Sequence, residues 1–96
     1  MPTNYEVTYI LRPSLEEEAI EQKITQFSEA LAGQGGEVGN IERMGKRRLA
    51  YEIDDTREGF YVVMQFKSSA AASKELERQL GLNEDVMRAL VIKLEK

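Results

Sequence analysis

The stretch "EVGNIERMGKRRLAYEIDDTREGFYVVMQF", Glu37 to Phe66, has no helical periodicity and no proline. Its first part, as far as Ile53, is one long extended segment. Gly39 and Gly45 sit inside it, where a bulge or bend costs little. "DDTREG" is turn chemistry, and "FYVVMQF", Phe60 to Phe66, is dense in aromatic and β-branched residues. The spacing predicts a second and a third strand paired as a hairpin in the middle of the chain.

On the amino-terminal side, "YEVTYIL", Tyr5 to Leu11, predicts a first strand, stopped by Pro13. Ser14 with Glu17 three positions on fits a capping box, and Glu16, Glu17 and Glu18 suit the positive end of a helix dipole. Ile20, Ile24, Phe27 and Leu31 then form one apolar stripe, and "GQGG", Gly33 to Gly36, supplies the stop. On the carboxyl-terminal side, Ser68 or Ser69 caps a second helix carrying Ala72, Leu76 and Leu80, with Gly81 as its stop. "VMRALVIKL", Val86 to Leu94, predicts a fourth strand.

The order β-α-β-β-α-β is that of an α+β, ferredoxin-like split βαβ domain: a four-stranded antiparallel sheet with two helices on one face. One such domain accounts for residues 1–96. Strand parity places Val7 and Tyr9 toward the helices, and Glu6, Thr8 and Ile10 on the open face. Tyr61 and Val63 follow on the third strand, and Arg88, Leu90 and Ile92 on the fourth. The opposite parity would expose Phe60, Val62, Met64 and Phe66, a worse use of apolar area.

Composition narrows the function. The chain has no cysteine, which removes thiolate metal sites and disulfides, and no histidine, which removes the commonest acid-base and metal-binding side chain. These absences lower the odds of an enzyme, and no cofactor or metal is expected. Glu16 to Glu18 project about 100° apart on a helix and do not converge on an ion, and "GQGG" lacks the Gly-Lys-Ser/Thr of a phosphate loop. The start of the chain lacks the pattern of a signal peptide, and no apolar run approaches the ~20 residues of a membrane helix. A cytoplasmic location is expected.

Charge is unevenly spread. The chain holds 17 acidic and 13 basic residues, for a net charge of -4, yet Arg43 to Arg48 contains four cations and no acid. Lys46, Arg47 and Arg48 are adjacent. Alternation sends Lys46 and Arg48 one way and Arg47 the other, unless a bulge at Gly45 re-aims them. A polyanion offsets the mutual repulsion of such a cluster; a charged edge strand guarding against aggregation is the plainer explanation.

"YEVTYILRP", "GKRRLAYEI", "GFYVVMQF" and "LNEDVMRALVIK", in this order, resemble the bacterial small-subunit ribosomal protein number six family over nearly the whole chain. The resemblance implies a non-catalytic ribosomal protein that binds the central domain of small-subunit ribosomal RNA together with small-subunit ribosomal protein number eighteen. Its basic element falls on Lys46, Arg47 and Arg48, with Leu49 and Tyr51 as packing residues and Arg88 at the start of the last strand. These four cations are the expected RNA contacts. For Arg88 a salt bridge with Glu84 or Asp85 is the competing expectation. Thr3 and Asn4 stand where members often carry a basic residue, so no RNA contact is expected there. The alternative class is a small-molecule-binding or regulatory ferredoxin-like module that dimerises through its sheet.

Overall fold

The computed structural model describes residues 2–53 and 56–94. Along them run β1 (Thr3–Leu11), α1 (Glu17–Gly33), β2 (Glu37–Ile53), β3 (Thr56–Ser68), α2 (Ala70–Leu82) and β4 (Val86–Lys93). The strands form one antiparallel sheet in the order β2-β3-β1-β4. This is the predicted ferredoxin-like arrangement. Asp54 and Asp55 of the predicted turn lie outside the described residues.

The core is a single layer between the sheet and the helices. Val7, Tyr9 and Leu11 of β1 and Val62, Met64 and Phe66 of β3 meet Ile20, Ile24, Phe27 and Leu31 of α1 and Ala72, Leu76 and Leu80 of α2. The predicted parity and both helix stripes are therefore observed. Burial of these side chains is worth about 1.5–3 kcal/mol each for the larger ones before conformational entropy is charged against it. The Tyr9 and Phe27 rings meet edge-on, with centroids 5.4 Å apart.

Helix ends depart from expectation in two places. α1 starts at Glu17 with Glu16 as N-cap and no side-chain cap, so the Ser14 capping box does not form. Leu15 packs against the core just before the cap, and Ile20 lies four positions into the helix. Those are the positions a hydrophobic staple joins, and anchoring Leu15 leaves Arg12 to Leu15 as a turn, closed by the Leu15 amide donating to the Arg12 carbonyl at 3.2 Å. α2 is capped as predicted by Ser69, whose hydroxyl accepts from the Ala72 amide at 3.1 Å, but it runs past Gly81 to Leu82. The chain turns instead at Asn83, whose Oδ1 accepts from the Asp85 amide at 2.9 Å.

"GQGG" does end α1. Gly35 has φ +85°, and the amides of Gly35 and Gly36 donate to the carbonyls of Ala32 and Leu31, both at 3.0 Å. This pair of bonds is the Schellman motif, which needs a left-handed residue at that position.

β2 is longer than its neighbours and is bulged where the glycines predicted. Pairing with β3 shifts between Val38 and Ile41, between Arg43 and Gly45, and once more between Arg48 and Ile53. Each of the first two shifts inserts one extra residue and reverses which face the following side chains take. Val38 and Ile41, of opposite parity, consequently both pack on the core. Gly45 has φ +86°, a conformation that glycine adopts without the Cβ penalty.

β3 begins at Thr56, four residues before the predicted Phe60. β1 pairs with β3 only as far as Phe60, so Thr56 to Gly59 pair with β2 alone. The two strands leave the body of the sheet as a hairpin arm, in a molecule measuring 40 × 26 × 22 Å.

Candidate nucleic-acid interface

Lys46, Arg47 and Arg48 lie on the arm, on an edge strand. Their register partners are Phe60, Gly59 and Glu58. Phe60 pairs with the core residue Leu11 on the helix side of the sheet, so Lys46 and Arg48 share that side and Arg47 takes the other. Alternation therefore holds within the cluster, and the bulge at Gly45 determines which side each cation receives. All three side chains are exposed. Among the described residues none of them makes an ion pair or side-chain hydrogen bond. Arg43, the fourth cation of the cluster, is committed elsewhere: its Nε and Nη2 donate to the Glu21 carboxylate of α1 at 2.6 and 2.8 Å. This fork holds the Glu21 carboxyl below the usual range and raises the Arg43 guanidinium.

Leu49 shares the open face with Arg47, and Tyr51 reaches that face after the further register shift between Arg48 and Ile53. A Cβ on Gly59 would overlap Ile10 Cγ2 and reach Leu49 Cδ2 at 3.6 Å. Leu49 and Ile10 thus close over the bare backbone of Gly59, each 8% exposed. They form a small apolar contact separate from the main core. Ile10 has open-face parity, as expected, yet it is buried because the arm covers it.

Tyr51 is not a packing residue of the core. It is 56% exposed, and the Arg88 guanidinium carbon lies 5.3 Å from its ring centroid. The predicted salt bridge of Arg88 with Glu84 or Asp85 is absent among the described residues. Asp85 instead pairs with Lys23 at 3.1 Å, and the Glu84 carbonyl accepts from Arg12 Nε at 2.7 Å. Arg88 sits opposite Ile10, Ile10 opposite Tyr61, and Tyr61 opposite Gly45. One row across the sheet therefore begins beside the cationic cluster and ends at Arg88.

Beyond that row the open face is mixed. Val63, Thr8 and Leu90 form the next row, then Gln65, Glu6 and Ile92. Leu90 is 62% exposed and Ile92 44%, both on the edge strand β4. Gln65 Nε2 donates to Glu6 at 3.2 Å. Under the arm, Pro13, Arg48, Leu49, Tyr51, Arg57 and Glu58 help to line a cleft of about 690 Å³. Sequence reasoning missed the roles of Tyr51 and Gly59. Counting alternation onward from a bulge at Gly45 would have put Leu49 on the open face with Arg47, but the further shift between Arg48 and Ile53 lies between that count and Tyr51. The contact between the two edges of the sheet has no local signature.

No group of three or more potential metal-ligating side chains converges among the described residues, and no helix of the structure is long and apolar enough to cross a membrane.

Known proteins share this arrangement. The family model described as ribosomal protein S6 matches residues 4–93. The small ribosomal subunit protein bS6 of Carboxydothermus hydrogenoformans is 49% identical over 96 residues, covering all of both chains. That of Moorella thermoacetica is 43% identical over 93 residues, covering 97% of this chain and 95% of its own. The crystal structure of 30S ribosomal protein S6 from Thermotoga maritima superposes with a TM-score of 0.92 at 27% identity, covering 98% of this chain and 89% of its own. With the ferredoxin-like sheet, its order and almost every residue accounted for, the chain belongs to the ribosomal protein S6 family, whose members are structural and not catalytic.

Proposed function

We propose that this chain is a structural protein of the small ribosomal subunit. In this role it binds the central domain of small-subunit ribosomal RNA jointly with small-subunit ribosomal protein number eighteen, in the cytoplasm. The observation that carries the proposal is the state of Lys46, Arg47 and Arg48. In a chain of net charge -4, these adjacent cations stand on a projecting arm with no carboxylate paired to them among the described residues. Local acids satisfy Arg43, Arg57 and Arg78; the arm's three cations are left for a phosphate backbone. Arg88 extends the same end of the sheet.

An acidic protein gains little from bulk electrostatics when approaching RNA, so a second, basic protein is required for tight binding. The exposed Leu90 and Ile92 on the β4 edge supply apolar area for that protein. The test is recovery of the protein from cell extract at low salt. Small-subunit ribosomal RNA and one small basic ribosomal protein should accompany it; recovery of the chain alone would count against the proposal.

A further inference from the structure

We propose that Tyr51 is a positioning residue for RNA binding: its ring restrains the Arg88 guanidinium on the open face and leaves the charge and donors of that group for a phosphate. The inference rests on the RNA-binding role proposed above and adds to it the residue that orders Arg88.

Arginines of this chain are restrained in two chemically different ways. Arg43 and Arg78 each spend Nε and Nη2 on one carboxylate, that of Glu21 and that of Glu75, at 2.6–2.9 Å. Such a fork fixes the side chain and compensates its charge. Arg88 has no carboxylate. Among the described residues its side chain makes no ion pair or hydrogen bond, and Asp85, three positions before it, pairs with Lys23 at 3.1 Å. Its guanidinium carbon stands over the Tyr51 ring, 5.3 Å from the centroid. A ring face attracts the cation through its quadrupole but brings no formal negative charge, so the contact limits the freedom of the side chain without neutralising it.

Tyr51 has no other evident task. The residue is exposed, and among the described residues its ring stacks on no other aromatic and its hydroxyl makes no hydrogen bond. It belongs to the arm that carries Lys46, Arg47 and Arg48, whereas Arg88 belongs to the far edge strand. The ring thus joins the two cationic parts of one end of the sheet. A long side chain loses rotamer freedom when a ligand immobilises it; one already held by a ring loses less. On the open face the acid Glu6 lies two rows away, opposite Ile92, and accepts from Gln65 at 3.2 Å. Phosphate therefore meets no competing carboxylate at Arg88 among the described residues.

The test is equilibrium binding in the complete complex of this chain, protein number eighteen and a central-domain RNA fragment, with the salt dependence recorded for each variant. Tyr51→Leu should weaken binding about two- to ten-fold, the scale of immobilising one long side chain. Tyr51→Phe should restore the affinity, because the ring face returns. Arg88→Gln should weaken binding and reduce the salt slope by about one unit, the share of one phosphate contact. In the Arg88→Gln background Tyr51→Leu should cost nothing further; in the Lys46→Ala, Arg47→Ala, Arg48→Ala background it should cost as much as in the wild type. If the Tyr51→Leu loss persists without Arg88, or disappears once the arm's cations are removed, the ring only places the arm and the proposal is wrong. It is equally wrong if Arg88→Gln leaves the salt slope unchanged, or weakens binding of protein number eighteen in the absence of RNA, which would assign the guanidinium to the partner protein. Undiminished affinity of the triple variant would overturn the RNA-binding role itself, whereas loss there with Tyr51→Leu at wild-type affinity overturns only the positioning role.

Discussion

Tyr51 of β2 and Arg88 of β4 belong to opposite edges of the sheet, yet the Arg88 guanidinium carbon lies 5.3 Å from the Tyr51 ring centroid. Two strands separate their own. The contact exists because the arm, whose pairing shifts at Gly45 and again between Arg48 and Ile53, carries Tyr51 across the open face to β4. A double-mutant cycle with Tyr51→Leu and Arg88→Gln should return a coupling of about 0.5–1 kcal/mol in folding stability, the size of an exposed cation–π pair. Additive effects of the two substitutions would show that the pair does not hold the arm.

Gly59 is required for a different reason than Gly45. Its backbone is covered by Ile10 and Leu49, and a methyl group there overlaps Ile10 Cγ2, on a β-branched side chain with little freedom to move. Gly59→Ala should cost about 1–3 kcal/mol in chemical denaturation, as overpacking does. A second substitution, Ile10→Ala, should recover part of that loss in the Gly59→Ala background. No recovery would place the strain elsewhere.

Tyr9 presents a buried hydroxyl with no protein partner among the described residues. Burial raises its phenol above the ordinary range, with the nearby Arg43 opposing and Glu21 reinforcing the shift. Its ring is held by Phe27, so Tyr9→Phe keeps the packing and removes the unsatisfied group. Stability should stay level or rise by about 1 kcal/mol. A loss of more than that would mean the hydroxyl is hydrogen-bonded in solution.

The Glu21–Arg43 fork ties α1 to β2 and gives stability a dependence on acid. The carboxyl is held below its usual value by the hydrogen bonds from Arg43. Its contribution is therefore complete above the unfolded carboxylate value, near ~4.3, and is lost as pH falls through the lower folded value. Both side chains are nearly half exposed, so screening keeps the effect to about 0.2–1 kcal/mol. Glu21→Gln should flatten this part of the acid limb measured between pH 5 and 2, while Glu75, held at about 2 by Arg78 and Gln79, continues to titrate there. An unchanged acid limb would mean the fork does not persist in solution.

The topology was legible because each element carries its own period and punctuation. The stripe Ile20, Ile24, Phe27, Leu31, the Gly35 cap and the alternation through Val7 and Tyr9 agree with one another, and such agreement specifies a fold. The start of α1 was misplaced because the local capping signal at Ser14 lost to the burial of Leu15, a tertiary effect. The extra residues of β3 were hidden because "TREG" has turn composition, and only the close cover of Ile10 and Leu49 explains a glycine in that strand. For the site, the alternation of Lys46, Arg47 and Arg48 could be read from the strand. That Arg43 is spent on Glu21, and that Arg88 meets Tyr51 and not Glu84 or Asp85, depends on segments brought together from across the sheet.

The central claim is that Lys46, Arg47 and Arg48 neutralise phosphate. The most direct measurement is the salt dependence of binding to the central-domain RNA with protein number eighteen present, comparing the wild type with the triple alanine variant. If each cation displaces one counterion, the slope of log K against log salt should shrink by about two to three units, with the thermal unfolding of the free protein little changed. An identical slope in the two proteins would contradict the account.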